Sequence, residues 1–427
     1  MATYKVVDAE KLDADMTSVA DTIRTKGGTT EQLAWPDGYN AAIEAIQTGG
    51  GFTPPSTIEL DPDEVYRTTR PADWLPMPTP GDDEIYFLCH VRPNRQGLFY
   101  VQLGSNGSFA VEYGKMVDGV FVADGKAQNT SSNYYKIIIE PSMCYSPTAD
   151  GTLQLFVRIK GAITTLNGDV STTFTARQCA VDAVCGIALT RLQLSNTNDA
   201  RRSWFRLRYW RFVGNGGASS LPSTFYLCKS LLSVGCEKEN VVSGDINNAF
   251  RATPGLIAVS PNLIGGSTVA VNANYLFAGC SLKVIKDFRF KCSSAGSMFN
   301  EGNAVEVDFA NIDTSECTSL ATFFYNSYAV RSIKNLNISG LTSIASNWCI
   351  NCNDLETLTF TGETTVGGIT ITATMGCLCH AALVEMIDSL PVATTAATVT
   401  ITGQPGASEL TDEEIAVATA KNWTVTI

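Results

Sequence analysis

"FYLCKSLLSV" (225–234) and "FRATPGLIAV" (250–259) share one layout: an aromatic residue, a leucine six positions on, and another apolar residue three beyond that. "FYNSYAVRSI" (324–333) repeats the layout with valine for the leucine, and "CINCNDLETL" (349–358) repeats it with cysteine for the aromatic. Aligning Leu231, Leu256, Leu282, Val305, Val330 and Leu355 gives steps of 25, 26, 23, 25 and 25. The preceding apolar residues are Phe225, Phe250, Phe277, Phe299, Phe324 and Cys349, and the following ones include Val234, Val259, Ile285, Ile333 and Leu358. A unit of this length cannot bury its apolar face alone, so the copies must stack.

The period and internal order predict a leucine-rich-repeat solenoid over residues 223–427, each turn supplying one short strand. Its last turn needs a cap. Leu383, Ile387 and Leu390 predict a short helix, "TVTIT" (398–402) a strand, Thr411 with Glu414 a capping box opening a final helix, and "WTVTI" (423–427) a closing strand.

Upstream, "TGGGFTPPS" and "GNGGASSLP" read as linkers at 48–56 and 214–222. Between them, residues 57–213 hold many short runs of β-formers, among them "EIYFLCHV", "GLFYVQLG", "FAVEYG", "YYKIIIE", "LQLFVRIKG", "CGIALTRLQL" and "WFRLRYWRFV". Strands at this spacing predict an antiparallel, jelly-roll-like β-sandwich. Residues 1–47 read differently. Leu12, Met16, Val19 and Ile23 form one helical seam, and Tyr39, Ala42, Ile43 and Ile46 another after the "WPDGY" turn that carries Trp35. Two helices this short bury too little to stand alone, so the hairpin is expected to pack on another chain. The expected class is therefore multidomain and mainly β: helical hairpin, sandwich, capped solenoid.

A formal charge of -12 argues against nucleic-acid or anionic-membrane partners, which require dense basic patches. Arg201, Arg202, Arg206, Arg208 and Arg211 alternate with Leu207, Tyr209 and Phe212 and read as the outward face of a strand. The start has no basic and apolar leader and no run is long enough to span a bilayer, so synthesis in the cytoplasm without secretory export or membrane insertion is expected. Thirteen cysteines without framework spacing read as reduced, mostly buried thiols.

"TSVADTIRTKGGTTEQLAWPDGYNAAIEAI" resembles a short module of tail, baseplate and fibre proteins of bacteriophages and prophages. The matching residues are Ala20, Ile23, Arg24, Lys26, Gly28, Leu33, Trp35, Pro36, Gly38, Tyr39, Ala42 and Ile43, with Trp35 where phenylalanine is more usual. The repeats resemble BspA-like leucine-rich repeats of bacterial surface and phage tail proteins, and "LTDEEIAVATAKNWTVTI" resembles the cap of such phage proteins. The resemblance implies a virion protein near the tail tip, commonly a homotrimer. Its N-terminus would contact other tail or baseplate proteins, and its outer surfaces a host cell-surface glycan or protein. Leu12, Met16, Val19, Ile23, Trp35, Tyr39, Ile43 and Ile46 are then the attachment and oligomerisation residues, and release is by lysis. The alternatives are a bacterial surface adhesin and, less favoured, a cell-wall polysaccharide depolymerase.

Chemistry-bearing motifs are sparse. Cys349, Cys352, Cys377, Cys379 and His380 could hold zinc, but the one-residue gap of the second cysteine pair and the repeat position of Cys349 favour core thiols. His90 and His380 lack the context of a catalytic triad. "DPDE" (61–64) and "GDDE" (81–84) read as solvated turns, not as a glycosidase pair or a calcium loop. Neither a metal nor a cofactor is expected, nor enzymatic activity. Trp204, Tyr209 and Trp210 are the candidate ligand-binding residues: Trp204 and Trp210 share one strand face and Tyr209 the other, and an exposed ring could stack on a sugar. The competing reading is that they fill a core or an interface.

Overall fold

The computed structural model describes residues 59–427 apart from 132, 169–177, 196–203, 205, 268, 342–343, 345–346 and 364–368. The expected hairpin residues Leu12, Met16, Val19, Ile23, Trp35, Tyr39, Ile43 and Ile46 lie outside them. Ile58–Ile427 forms one compact unit. Among the described residues it is mainly β, with three short α-helices and a β-solenoid of about nine turns towards the C-terminus.

Asp61 opens helix α1 (Pro62–Thr69), where "DPDE" suggests only a turn. Its carboxylate accepts from Asp63 N–H at 2.9 Å, proline occupies the first helical position, and Asp63 and Glu64 sit at the positive end of the helix dipole. The strands follow as β1 (Glu84–Val91), β2 (Gly97–Val117), β3 (Val120–Lys126), β4 (Gln128–Ser131), β5 (Tyr134–Ile139), β6 (Ser146–Pro147), β7 (Leu153–Asn167), β8 (Ala180–Cys185), β9 (Ala188–Leu189), β10 (Arg191–Gln193) and β11 (Tyr209–Phe212). β1 is buried at every position because both its faces are covered. Ile85, Phe87, Cys89 and Val91 enter the main core, while Tyr86 and Leu88 join a second cluster roofed by Trp74, Leu75 and Met77. A continuous apolar run, not an alternating one, is what a two-sided burial demands.

The expected β-sandwich is not confirmed: the central strands are hydrogen-bonded into one sheet. β4, β5, β2, β7, β1, β8 and β11 hydrogen-bond in that order within one sheet. The long strands β2 and β7 change register around Gly104, Ser105 and Phe109. The start of β2 then returns to bridge Leu98 with Gln178, just ahead of β8. The sheet thus curls around its own core, and inward/outward alternation along each strand is the same for a curled sheet as for a sandwich.

Pairing turns from antiparallel to parallel at β8, which is antiparallel to β1 and parallel to β11; β11 is in turn parallel to Ser233–Cys236, the first repeat strand. Phe87, Ala183, Trp210, Val234 and Val259 stand in one cross-strand row, all buried. The core therefore runs without a break past the glycine-rich stretch at 214–222.

In the solenoid, Ile285, Val307, Ile333 and Leu358 pair in register across successive parallel strands. Inside, Phe225, Phe250, Phe277, Phe299 and Phe324 stack nearly parallel with centroid spacings of 5.6, 5.7, 5.8 and 4.8 Å. Phe324 N–H donates to the Trp348 carbonyl just as Phe299 N–H donates to that of Phe323, so Cys349 does occupy the aromatic position; Trp348 fills the space beside it, edge-on to Phe324 at 6.2 Å. One alignment is corrected. Ala304, not Val305, is buried at the leucine position, three residues before Val307, while the Val305 carbonyl accepts from Arg331 and Ser332 N–H.

Five successive turns also bend through two left-handed residues four apart: Ser223 and Leu227, Asn248 and Ala252, Tyr275 and Gly279, Ser297 and Glu301, Thr322 and Asn326. Only one of these ten is glycine. The others accept a cost of order 1 kcal/mol each because stacking imposes the same bend on these successive turns.

The cap has the elements the sequence predicts. Helix α2 (His380–Ser389) and helix α3 (Asp412–Ala420) accompany a parallel sheet of Thr370–Thr372, Ala397–Thr400 and Trp423–Thr426. Thr411 and Glu414 form the reciprocal capping box. Buried Gln404 accepts from Leu378 N–H and donates to the carbonyls of Ala373 and Met375, so its amide is fully used. None of the described helices is long and apolar enough to cross a membrane.

Candidate functional site

Trp204, Tyr209 and Trp210 are each 0% exposed. The predicted parity holds for Trp210 and Tyr209. Trp210, with Trp204, enters the main core, where both rings lie against Phe87, while Tyr209 faces α1 and meets Tyr66 edge-on at 5.1 Å. Buried rings cannot stack on a sugar, so the three are packing residues and the expected ligand platform is withdrawn.

The arginines between and beside them are not a solvated face either. Arg211 lies 3.9 Å over the Tyr66 ring, and Arg208 lies over Trp74 and Tyr209 at 5.6 and 5.5 Å. Segment 71–75 covers this side of the sheet, Trp74 and Leu75 packing on the second cluster. Arg70 holds it: Nε donates to buried Asp182 at 2.7 Å, and the two terminal nitrogens donate to the carbonyls of Trp74 and Leu75. The Gln154 amide on β7 completes the tie, accepting from Leu75 N–H and donating to the Asp73 carbonyl.

Where the connector, β1 and the 148–152 turn meet the chain entering β11, they leave a pocket of about 430 Å³. Its wall includes Trp74, His90, Arg206, Arg208, Asp150 and Ser230. His90 is 5% exposed, lies edge-on to Trp74 at 4.6 Å, and its Nε2 is buried without a hydrogen-bond partner. Arg206 donates to the His90 carbonyl at 3.3 Å. Burial, followed by the Arg206 charge, lowers the His90 imidazole to about 4, so it is neutral at pH 7. Exposed Asp150 is lowered to about 2 because its carboxylate accepts from the Thr148 hydroxyl and Thr152 N–H. Asp73 accepts from Ala149 N–H at 2.6 Å. The pocket thus offers guanidinium donors inside, carboxylate acceptors at the rim and a neutral imidazole on its wall.

This burial has a cost that pH reads out. The unfolded histidine titrates near 6.5 and the folded one near 4, so the unfolded chain takes up the proton first as pH falls. Stability from this group is complete above about pH 6.5 and declines down to about pH 4, by about 3 kcal/mol in all. Asp150 and Gln154 face the ring and favour its proton, while Arg206 and Arg70 oppose it. Denaturant unfolding at pH 7 and pH 4.5 should show wild type losing about 2–3 kcal/mol more than His90→Gln. Equal losses would mean that the imidazole is not buried neutral.

The other motifs are dispersed. Cys349 and Cys352 are buried, Cys377 and Cys379 exposed, and His380 pairs with Glu414 at 2.9 Å. Among the described residues no three His, Cys, Asp or Glu side chains converge as metal ligands. Glu84 of "GDDE" is buried and pairs with Arg158 and Lys160, so that stretch is only partly a solvated turn. The Trp74–His90–Arg206 grouping had one faint sequence signal, a histidine ending an apolar run. Its partners lie 116 residues apart in the chain, a separation that periodicity cannot bridge. Compared with known proteins, the chain matches no family model, no curated protein and no solved structure.

Proposed function

We propose that this chain is a structural and receptor-binding protein of a phage tail tip. In this reading residues 1–47 attach it, as a homotrimer, to other tail or baseplate proteins. The β-solenoid is of the leucine-rich-repeat class and, with the curled sheet, faces a host cell-surface glycan or protein. Three copies would turn modest single-site affinity into firm attachment through effective concentration. The protein works by binding, without chemistry of its own.

The observation that carries the binding side is the character of the pocket beside Trp74. It holds convergent polar groups, Asp150 is lowered to about 2 and so is no general acid, and His90 at about 4 is a weak base. The tail side rests on the "IRTKGG…WPDGY" motif. Antibodies to residues 58–427 should label the tail tips of particles made by the producing bacterium, and light scattering should give a trimer. Labelling of bacterial envelopes in cultures without particles would overturn the tail assignment in favour of an adhesin.

A further inference from the structure

We infer that the pocket lined by Trp74, His90, Arg206 and Arg208 is a binding site for a carboxylate-bearing sugar unit. The inference rests on the binding reading above and gives it a place and a ligand class.

Two guanidiniums line the pocket, both half-buried, and neither forms an ion pair with a carboxylate among the described residues. Arg208 is held by the faces of Trp74 and Tyr209, and Arg206 by the His90 carbonyl. Their remaining N–H groups suit a planar carboxylate, which guanidinium binds through paired hydrogen bonds. A bare anion, however, would leave the rest of the wall unused. His90 also lines the pocket, and its Nε2 is a buried polar atom without a hydrogen-bond partner. Asp73 and Asp150 at the rim are acceptors whose second oxygens can take further hydroxyl donors. Donors inside for a carboxylate and acceptors around it for hydroxyls describe an acidic sugar better than inorganic phosphate, which has no ring of hydroxyls to offer the rim acceptors. A volume of about 430 Å³ is at the small end for ligand pockets and fits one sugar unit with its linkage. Trp74 is spoken for: Arg70 and Arg208 both lie over its ring, so recognition here is by hydrogen bonding rather than by ring stacking.

The test is calorimetry and saturation-transfer NMR on the full-length protein with glucuronate, N-acetylneuraminate and glucose. At least one acidic sugar should bind saturably, with affinity falling as salt rises, and glucose should bind at least about tenfold more weakly. Arg208→Gln should weaken the acidic sugar by about tenfold or more, whereas Arg251→Gln on the solenoid should leave it unchanged. Should Arg208→Gln fail to fold, Ser230→Tyr, at an exposed rim position, blocks the pocket without altering buried packing. Equal binding of glucose, or no saturable binding of either acid at about 10 mM, overturns the inference, since weak single-site lectin-like affinities would still register there. Tail-tip labelling that persists with no acidic-sugar binding would sink this inference alone. Acidic-sugar binding by a protein absent from particles would sink the tail reading alone.

Discussion

Phe299→Ala should lower the unfolding free energy by about 3–5 kcal/mol, the range for deleting a fully buried aromatic ring. Phe299 is 1% exposed and sits mid-stack, against Phe277 on one side and Phe324 on the other, with Phe309 and Phe323 edge-on or nearly so. In a stacked array each turn is stabilised chiefly by its neighbours, so the cavity should also weaken coupling between the turns before and after it. Guanidinium unfolding should therefore lose cooperativity as well as midpoint. Hydrogen exchange should rise first at the amides of Phe323 and Phe324. Phe299→Leu refills most of the space and should cost much less. A loss below about 1 kcal/mol for the alanine variant would mean that the ring stack does not hold the solenoid together.

Arg70→Met is expected to be of similar severity, about 3–5 kcal/mol, because it strands a buried carboxylate. Asp182 is 0% exposed; besides Arg70 its side chain is met by the Tyr66 hydroxyl, which donates to it at 3.1 Å. Burial already pushes the Asp182 carboxyl upward against the pull of Arg70. Without Arg70 it should rise further. A carboxyl whose folded pKa lies above its unfolded value stabilises the fold below the unfolded pKa and loses that contribution as pH rises through the folded one. The defect should accordingly be largest at pH 7 and shrink towards pH 4. Asp182→Asn in the same chain should restore part of the loss at pH 7. Because Arg70 also anchors Trp74 and Leu75, the variant should loosen the wall of the pocket. A defect that is flat with pH, or that Asp182→Asn does not relieve, would place the cost in the lost carbonyl contacts instead.

Both variants act at places the sequence presents unequally. The ring stack was legible because Phe225, Phe250 and Phe324 recur at fixed distance from a leucine or valine, and a solenoid writes its period directly into the chain. The Val305 misalignment arose where alanine replaces the large residue, so burial could be read only from the hydrogen bonds of the neighbouring turns. Helix α1 was legible in principle from Asp61, Pro62 and the acidic first turn, but the proline and aspartates read equally well as a turn. The Arg70–Asp182 pair was not legible at all. It joins a helix end to a strand 112 residues away, and nothing local marks either partner.

By itself the sequence determined a repeating β architecture, the positions of most strands, the closing helices with their capping box, and the absence of concentrated positive charge. Those properties are local or periodic: hydrophobic spacing and capping chemistry act over one turn or one repeat, so they survive in one dimension. Tertiary structure alone decided that the central strands make one curled sheet which passes into the solenoid, and that Trp204, Tyr209 and Trp210 lie inside it. It also decided that Trp74, His90, Arg206 and Arg208 share a pocket. Such outcomes depend on which strand edges meet and on which segment covers a face, and an alternating strand carries no record of its partners. The chain specifies its units by periodicity and its candidate site by the way distant units close on one another.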